Sequence, residues 1–450
     1  MPLNSEILYG LHDKPKVSHC ITAAIQHLMA CFIGIITPTL IIGNALDLQA
    51  EIPYLISMAL MVSGVSTFIQ AKTFGPVGSG LIAVQGTSFT FIGALLAAGF
   101  MVKNNGGSKD DILAMMFGIC FWGAFVEIFL SRFIDKVKGI ITPLTTGIVI
   151  TTIGITLIKV GMTDLAGGFG VNDFGSADNM LLGITVLIIV VAFNASKRPM
   201  IRLSAIFIGM FCGSLLAWWF DMLKFSAMLD LPLISLPIPF KYGIAFQWEV
   251  FIPVALVYFL SAIETAGDLT ANSLFCRQPI TGPLYIKRIK GGILADGINS
   301  MLAAVFNNFP NTTFGQNNAV IQMTGVASRH VAFYIAGLLV LLGLFPAIGA
   351  VMQLMPKPVL GGATLVMFAT IAVAGVKILT SEPIDRRKSL IIATSMGLGL
   401  GVMMVPAAVA QLPELAKNIF SSSVTVAGFC AIIMSMMIPE KPLEPLDQSI

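Results

Sequence analysis

Apolar residues run along this chain in blocks of about 20, the length a helix needs to span the hydrocarbon core of a bilayer. Short polar stretches carrying Gly, Pro and charge separate the blocks. Fourteen segments can be placed, at residues 18–41, 53–70, 80–100, 110–131, 139–158, 180–195, 201–219, 247–271, 286–306, 311–324, 330–354, 358–378, 387–405 and 422–438. The pattern predicts an all-α polytopic membrane protein with short extended stretches in two broken spans. The third span opens on GSGLIAVQGTSF, where glycines and a short alternating run surround Gln85, Gly86, Thr87 and Ser88 before helical periodicity begins. The tenth is short in the same way, with Phe314, Gly315, Gln316 and Asn317 ahead of its apolar part. These two spans lie seven crossings apart, so the two copies would run in opposite directions. Inverted repeats place half-helix ends at the bilayer midplane in this manner.

Composition narrows the class. Hydrophobic residues make up 56% of the chain and charged residues only 11%, against roughly 25% in soluble domains. The first apolar segment is too long, and too polar around Gln26 and His27, for a cleaved leader, so it is expected to stay in the mature protein. Cysteines at 20, 31, 120, 212, 276 and 430 show no CxxC spacing and read as packing residues. A net charge of +3 gives no reason to expect nucleic acid. The placement of the basic residues says more. With a cytoplasmic N-terminus, 19 of the 26 Lys and Arg fall on that side, among them Arg132, Lys136, Lys138, Lys197, Arg198, Arg202, Lys287, Arg288, Lys290 and Lys441. The positive-inside rule then predicts an even number of crossings and both termini in the cytoplasm. The Pro-containing linker 221–248 is expected at the external surface. GIITP occurs at 34–38 and 139–143, in segments that are not repeat partners, and reads as chance. GLGLG at 397–401 lies inside a span and reads as close helix packing, not as a nucleotide-binding turn.

The stretch 307–329, NNFPNTTFGQNNAVIQMTGVASR, is irregular and polar in an otherwise apolar chain. Lipid cannot satisfy such a segment, so protein or a water-filled cavity must surround it. It reads as the lining of a binding site. Ionisable residues within spans are costly and therefore functional candidates: here His27, Glu127, Glu264, Asp268 and Asp296. Glu264 and Asp268, four apart, share a helical face with Asn272 a turn further on, and Gly267 between them leaves room for another backbone. Two carboxylates this close favour one being protonated or bonded to a donor, as a proton-coupled site requires. Asp268 and Asp296 could instead brace the broken helices, and His27 could be structural. Glu127, near the cytoplasmic end of its span, is expected to reach toward water. Gln316 and Asn317 present donors and acceptors in one plane. A ring edge alternating N–H and C=O, as in a pyrimidinedione or oxidised purine, would suit a Gln amide on one side and a Glu carboxylate on the other, with Phe89 or Phe314 stacked on it. Other small polar molecules fit these residues equally well. No HExxH or comparable spacing occurs, so neither an enzyme nor a metal site is expected.

The run from Gln316 to Gly325 resembles the signature of the nucleobase-ascorbate transporter family, Gln/Glu/Pro-Asn-x-Gly-x4-Thr-Arg/Lys/Gly, and Gln26-His27 resembles a second motif of that family. Through GSGLIAVQGTSF, ETAGDLTANS, IKGGILADGINS and LGGATLVMF the chain is similar to the bacterial xanthine permease branch over nearly its whole length. The resemblance implies fourteen transmembrane segments in a seven-plus-seven inverted repeat. It implies a core domain (1–135 and 246–355, spans 1–4 and 8–11) and a gate domain (136–245 and 356–450, spans 5–7 and 12–14 with the C-terminal tail). It further implies a homodimer in the bacterial cytoplasmic membrane. The expected activity is proton-coupled uptake of xanthine by an elevator-type movement, with urate or another purine or uracil as the alternative substrate and no cofactor beyond the proton gradient. Carried over to this sequence, Glu264 and Gln316 would hold the purine, Phe89 would stack on it, and Gly315 and Ser88 would complete the substrate site. His27, Asp268, Asp296 and Asn317 would support proton coupling and the helix breaks. Two positions depart from the pattern: Ala319 stands where the family has Gly, and Ser88 occupies a position at which xanthine and urate transporters vary.

Overall fold

A computed structural model of the chain describes residues 7–134, 142–168, 171–220, 222 and 232–438. Lys136, Lys138, Lys441, part of the second GIITP and much of the linker 221–248 fall outside these residues. In order, the elements are α1 (Val17–Ala45), α2 (Ile52–Lys72), β1 (Gln85–Thr87), α3 (Ile92–Asn104), α4 (Lys109–Phe133), α5 (Pro143–Leu165), α6 (Ala177–Asn194), α7 (Pro199–Leu203) and α8 (Ala205–Trp219). They continue with α9 (Trp248–Phe275), α10 (Gly282–Val305), β2 (Asn311–Thr313), α11 (Gly315–Thr324), α12 (Arg329–Gly343), α13 (Pro346–Leu354), α14 (Lys357–Leu379), α15 (Arg386–Met404), α16 (Glu414–Phe420) and α17 (Ser423–Met437). Among the described residues the fold is all-α apart from one short ladder and two isolated bridges.

Helix starts follow from local chemistry. Ser108 and Asp111 close a capping box at α4, and Thr142 and Thr145 do the same at α5, where Pro143 stands at the first helical position. Among the described residues, seven helices are long and apolar enough to cross a membrane singly, and an eighth span forms if α12 and α13 are counted as one, bent by 75°. The apolar pattern predicts one segment, 330–354, there; Pro346 opens a new helix after Phe345 takes an extended conformation, so the span turns. Segment 201–219 is likewise divided, at Ser204, into α7 and α8. The short helix α16 has no counterpart among the expected segments.

Glycines set how closely the helices approach. At Gly154 and Gly375, in the α5–α14 pair, an added Cβ would run into backbone atoms of the facing helix, the small-residue packing common between membrane helices. In GLGLG only the middle residue serves this purpose. A Cβ on Gly399 would lie 2.7 Å from the Ala427 Cβ of α17, whereas nothing lies within 4 Å of one on Gly397 or Gly401.

Both broken spans are present, and they meet. β1 and β2 pair antiparallel, with Gln85 opposite Thr313, Gly86 opposite Thr312 and Thr87 opposite Asn311. The ladder continues beyond the strands, with Phe314 N donating to Val84 O at 3.0 Å and Ser88 N to Pro310 O at 2.8 Å. Each extended segment thus satisfies the backbone groups that the other leaves open, which makes non-helical backbone tolerable at this depth. Gly86 is required for the fit: a Cβ there would sit 2.5 Å from Phe314 Cζ and 2.7 Å from Ile35 Cγ1. Phe314 is accordingly packed against α1 and β1, only 5% exposed.

Candidate functional site

Where the half-helices begin, the interior opens into a cavity of about 400 Å³. It is lined by Phe89 from the loop after β1, by Glu264 and Asp268 of α9, and by Gly315, Gln316 and Ala319 of α11; α14 and α5 contribute residues such as Met367, Thr370 and Ile153. The pairing of Glu264 with Asp268 on one helical face therefore holds, and both carboxylates reach the cavity. What approaches α9 at Gly267 is the Thr146 side chain of α5, and not a second backbone.

The two carboxylates and Phe89 have identifiable support. Glu264 Oε2 accepts a hydrogen bond from the Thr90 hydroxyl at 2.6 Å. Asp268 Oδ2 lies 3.4 Å from the Thr313 hydroxyl, and a Cβ on Gly315 would be only 3.0 Å from Asp268 Oδ1. That places the Asp268 carboxylate at the first residue of α11, where the unpaired N–H groups and the helix dipole favour negative charge. Phe89 meets Phe368 of α14 edge to face, with ring centroids 5.8 Å apart.

The remaining candidates lie behind the wall. His27 is fully buried, and its Nδ1 is 2.7 Å from Asn317 Oδ1. Asn317 in turn donates its amide to Ile82 O, so its oxygen faces the imidazole and His27 Nδ1 is the donor. Gln26, beside it in sequence, turns outward to Met200 Sδ at 2.9 Å. Asp296 is fully buried at a three-way junction: it accepts from Thr265 of α9, from Gln70 of α2 at 3.1 Å and from Thr312 of β2 at 3.5 Å. Ser88, 1% exposed, accepts from Thr90 N at 3.3 Å and does not line the cavity.

Most of the polar stretch spends its amides on structure. Asn307 donates to Ile238 O at 2.6 Å, Asn308 to Asn311 Oδ1 at 3.0 Å, Asn311 to Ser66 Oγ at 3.0 Å and Asn318 to Asp268 O at 3.1 Å. Of the Asn and Gln amides in the stretch, Gln316 alone lines the cavity. The lining is thus narrowed to the middle of the segment.

Glu127 overturns its expectation. It is fully buried, and neither carboxylate oxygen has a hydrogen-bond partner among the described residues. It stands on the face of α4 that carries the buried Met116, Cys120, Gly123 and Ala124, turned toward α9 and α10, so its stem cannot reach water.

Several cavity residues escaped sequence reasoning, among them one amide and two cations. Asn194, Arg202 and Lys377 line the cavity from α6, α7 and α14; Arg202 enters the sequence reading only as a marker of membrane sidedness. Thr90 was missed as well, for lack of any spacing that ties it to Glu264.

Two half-spans joined over a cavity that holds carboxylates and an amide, inside an otherwise apolar bundle, define a membrane transport protein. Residues 18–408 match the profile of a permease family, and the chain belongs to this family, the nucleobase-ascorbate transporters. It is 45% identical to xanthine permease XanP of Escherichia coli (strain K12) over 441 residues, 97% of this chain and 95% of the relative. It is 42% identical to xanthine permease XanQ of the same strain over 97% of this chain and 94% of that protein, and 31% identical to the uric acid permease PucJ of Bacillus subtilis (strain 168) over 92% of this chain and 91% of that one. Among solved structures, the fold is shared with the transmembrane domain of the cyanobacterial bicarbonate transporter BicA, with a TM-score of 0.57 at 14% identity, covering 96% of this chain and 100% of that one. Murine Slc26a9, an anion transporter in its inward-facing state, gives a TM-score of 0.62 at 13% identity, covering 94% of this chain and 69% of that one.

Proposed function

We propose that this permease takes up xanthine together with protons across the bacterial cytoplasmic membrane. The observation that carries the reading is the cavity wall on which the Glu264 carboxylate, the Gln316 amide and the Phe89 ring converge. A carboxylate accepts from ring N–H groups, while an amide can donate to a carbonyl and accept from a neighbouring N–H, which matches the alternating edge of an oxidised purine. The similarity to two proteins named as xanthine permeases supports that substrate. Urate is the nearest alternative, supported by the likeness to a uric acid permease.

In this reading the chain has fourteen spans in two inverted halves and both termini in the cytoplasm. A core of α1–α4 and α9–α13, with the two strands, carries the substrate past a gate of α5–α8 and α14–α17, and two chains form a homodimer. Residues of both groups of helices line the cavity, which supports an elevator movement. Asp268, Asp296, His27 and Asn317 hold the broken spans in register, and protonation of Glu264 or Asp268 neutralises the site for the crossing. The membrane potential supplies about 2.3 kcal/mol per charge per 100 mV.

The test is uptake of labelled xanthine in cells with and without a proton uncoupler, in competition with urate, hypoxanthine, guanine and uracil. Accumulation that collapses with the uncoupler and is competed best by xanthine is the expected result. Wild-type affinity in Glu264→Gln or Gln316→Glu would refute the site assignment, and strongest competition by urate would transfer the assignment to that purine.

A further inference from the structure

The Glu127 carboxyl lies one helix behind the substrate cavity with no partner of its own among the described residues. Gly297, the residue after Asp296, packs against the turn of α4 that bears it: a Cβ there would be 2.9 Å from Ile128 N and 3.2 Å from Ala124 O. From α9 it is faced by Ser261, Glu264 and Tyr258, and from α10 by Asp296. The Tyr258 hydroxyl is already engaged with Cys120 O at 2.8 Å. The Ser261 hydroxyl, fully buried and with no closer hydrogen-bond partner among the described residues, is the polar group that meets the Glu127 carboxyl, at more than ordinary hydrogen-bond distance. Ser261 lies three residues before Glu264, on the same face of α9. From α3, the remaining helix on that side, the only ionisable residue is Lys103 in its last turn, 2.5 Å from Asp47 at the membrane edge. Among the described residues, then, no cation balances Glu127. An unpaired carboxylate in such surroundings is far costlier than the neutral acid.

We infer that Glu127 is a second proton-binding site, which exchanges its proton with Glu264 through the Ser261 hydroxyl during each transport cycle. The inference rests on the proton-coupled reading given above. Only a proton moves: the O–H bond on Glu264 breaks as one forms on Glu127, with Ser261 accepting one proton and passing on its own. Glu127 does not touch the substrate. It would hold the proton while Glu264 is engaged with the purine, so that binding and protonation need not compete for the same oxygens.

Purified full-length protein in liposomes separates the possibilities. Two activities are measured with labelled xanthine: accumulation driven by an inward proton gradient, and xanthine–xanthine exchange without a gradient. With one proton per substrate, each pH unit of gradient supports about tenfold accumulation. Glu127→Gln, which mimics the neutral acid, is expected to keep exchange near the wild-type rate and to lose accumulation. Wild-type accumulation in Glu127→Gln would overturn the inference and leave the proposed function intact. Gradient-independent behaviour of the wild type would overturn both. Should the glutamine variant not reach the membrane, Glu127→Asp decides. A shifted pH profile of accumulation, with exchange preserved, supports the exchanging site, and an unchanged profile overturns it.

Discussion

Thr90 donates its hydroxyl hydrogen to Glu264 at 2.6 Å, joining the loop between β1 and α3 to the carboxylate that reaches the cavity. The bond fixes one carboxylate oxygen and leaves the other for a ligand. Hydrogen bonds to charged groups contribute roughly 1.5–3 kcal/mol. Thr90→Val, which keeps the shape and removes the donor, is therefore expected to raise the KM for xanthine uptake by about tenfold or more, and Thr90→Ser to restore it. Uptake kinetics at matched membrane expression decide the matter; an unchanged KM in Thr90→Val would show that Glu264 needs no such anchor.

How much of this was legible beforehand varies residue by residue. The two broken spans were, because glycines and amides inside a lipid-length block have no other explanation. Their pairing through Gly86 and Thr312 was not, since two strands of three residues offer too little alternation to reveal a register. Glu264 and Asp268 were legible from their four-residue spacing, which a helix converts directly into a shared face. Glu127 was misjudged because position along a helix gives height in the membrane and says nothing about which side the residue faces. The clue lay in Cys120, Gly123 and Ala124, whose small side chains mark the packed side of α4. Ser88 enters the expected site through the family resemblance, yet its hydroxyl accepts from Thr90 N and it is not among the residues that line the cavity.

Arg202 and Lys377 line the same cavity as Glu264, and Arg202 Nε is buried without a partner among the described residues. Cations at the mouth of a low-dielectric cleft raise the local concentration of anions. Arg202→Gln and Lys377→Gln are expected to slow uptake of the xanthine anion by roughly threefold to tenfold at low ionic strength, with little effect on the neutral base. Comparing KM above and below the ionisation of xanthine checks this; equal losses for both forms would point to packing instead of charge.

Gly86 sets a steric limit. A methyl group there would press on the Phe314 ring and on Ile35, and such overpacking costs about 1–3 kcal/mol. Gly86→Ala should lower the melting temperature of the purified protein, and adding Phe314→Leu should recover most of the loss. A Cβ on Gly34 would lie 3.0 Å from the same ring, so Gly34→Ala should be milder. If Gly86→Ala melts like the wild type, the ladder has more slack than the geometry allows.

Outside the spanning segments, the hydrogen bond from Lys103 beside it holds the Asp47 carboxyl below its ordinary value of 3.8. A carboxyl whose folded value is depressed stabilises the fold above its unfolded value, and that contribution disappears as pH falls through the folded one. Asp47 has a positive φ of 58°, a conformation Asn also adopts readily, so Asp47→Asn removes charge without backbone strain. The variant is expected to melt slightly below wild type at neutral pH. The gap should close on acidification below about pH 4 and shrink in high salt. A gap that persists unchanged in acid would assign the effect to something other than the ion pair.

The ladder between β1 and β2 also dictates an order of events during synthesis. Gln85 N already has the Thr67 hydroxyl of α2 at 2.9 Å, but the strand partner of Gln85–Thr87 is Asn311–Thr313, more than two hundred residues later, and ribosomes add about 5–20 residues per second. For some tens of seconds the nascent third span must therefore wait in the membrane with open backbone groups, shielded by the insertion machinery or by water. Neither half of the chain can complete the cavity alone. The site is assembled from both halves of the chain, and a product truncated before Asn311 would carry a half-span without its strand partner.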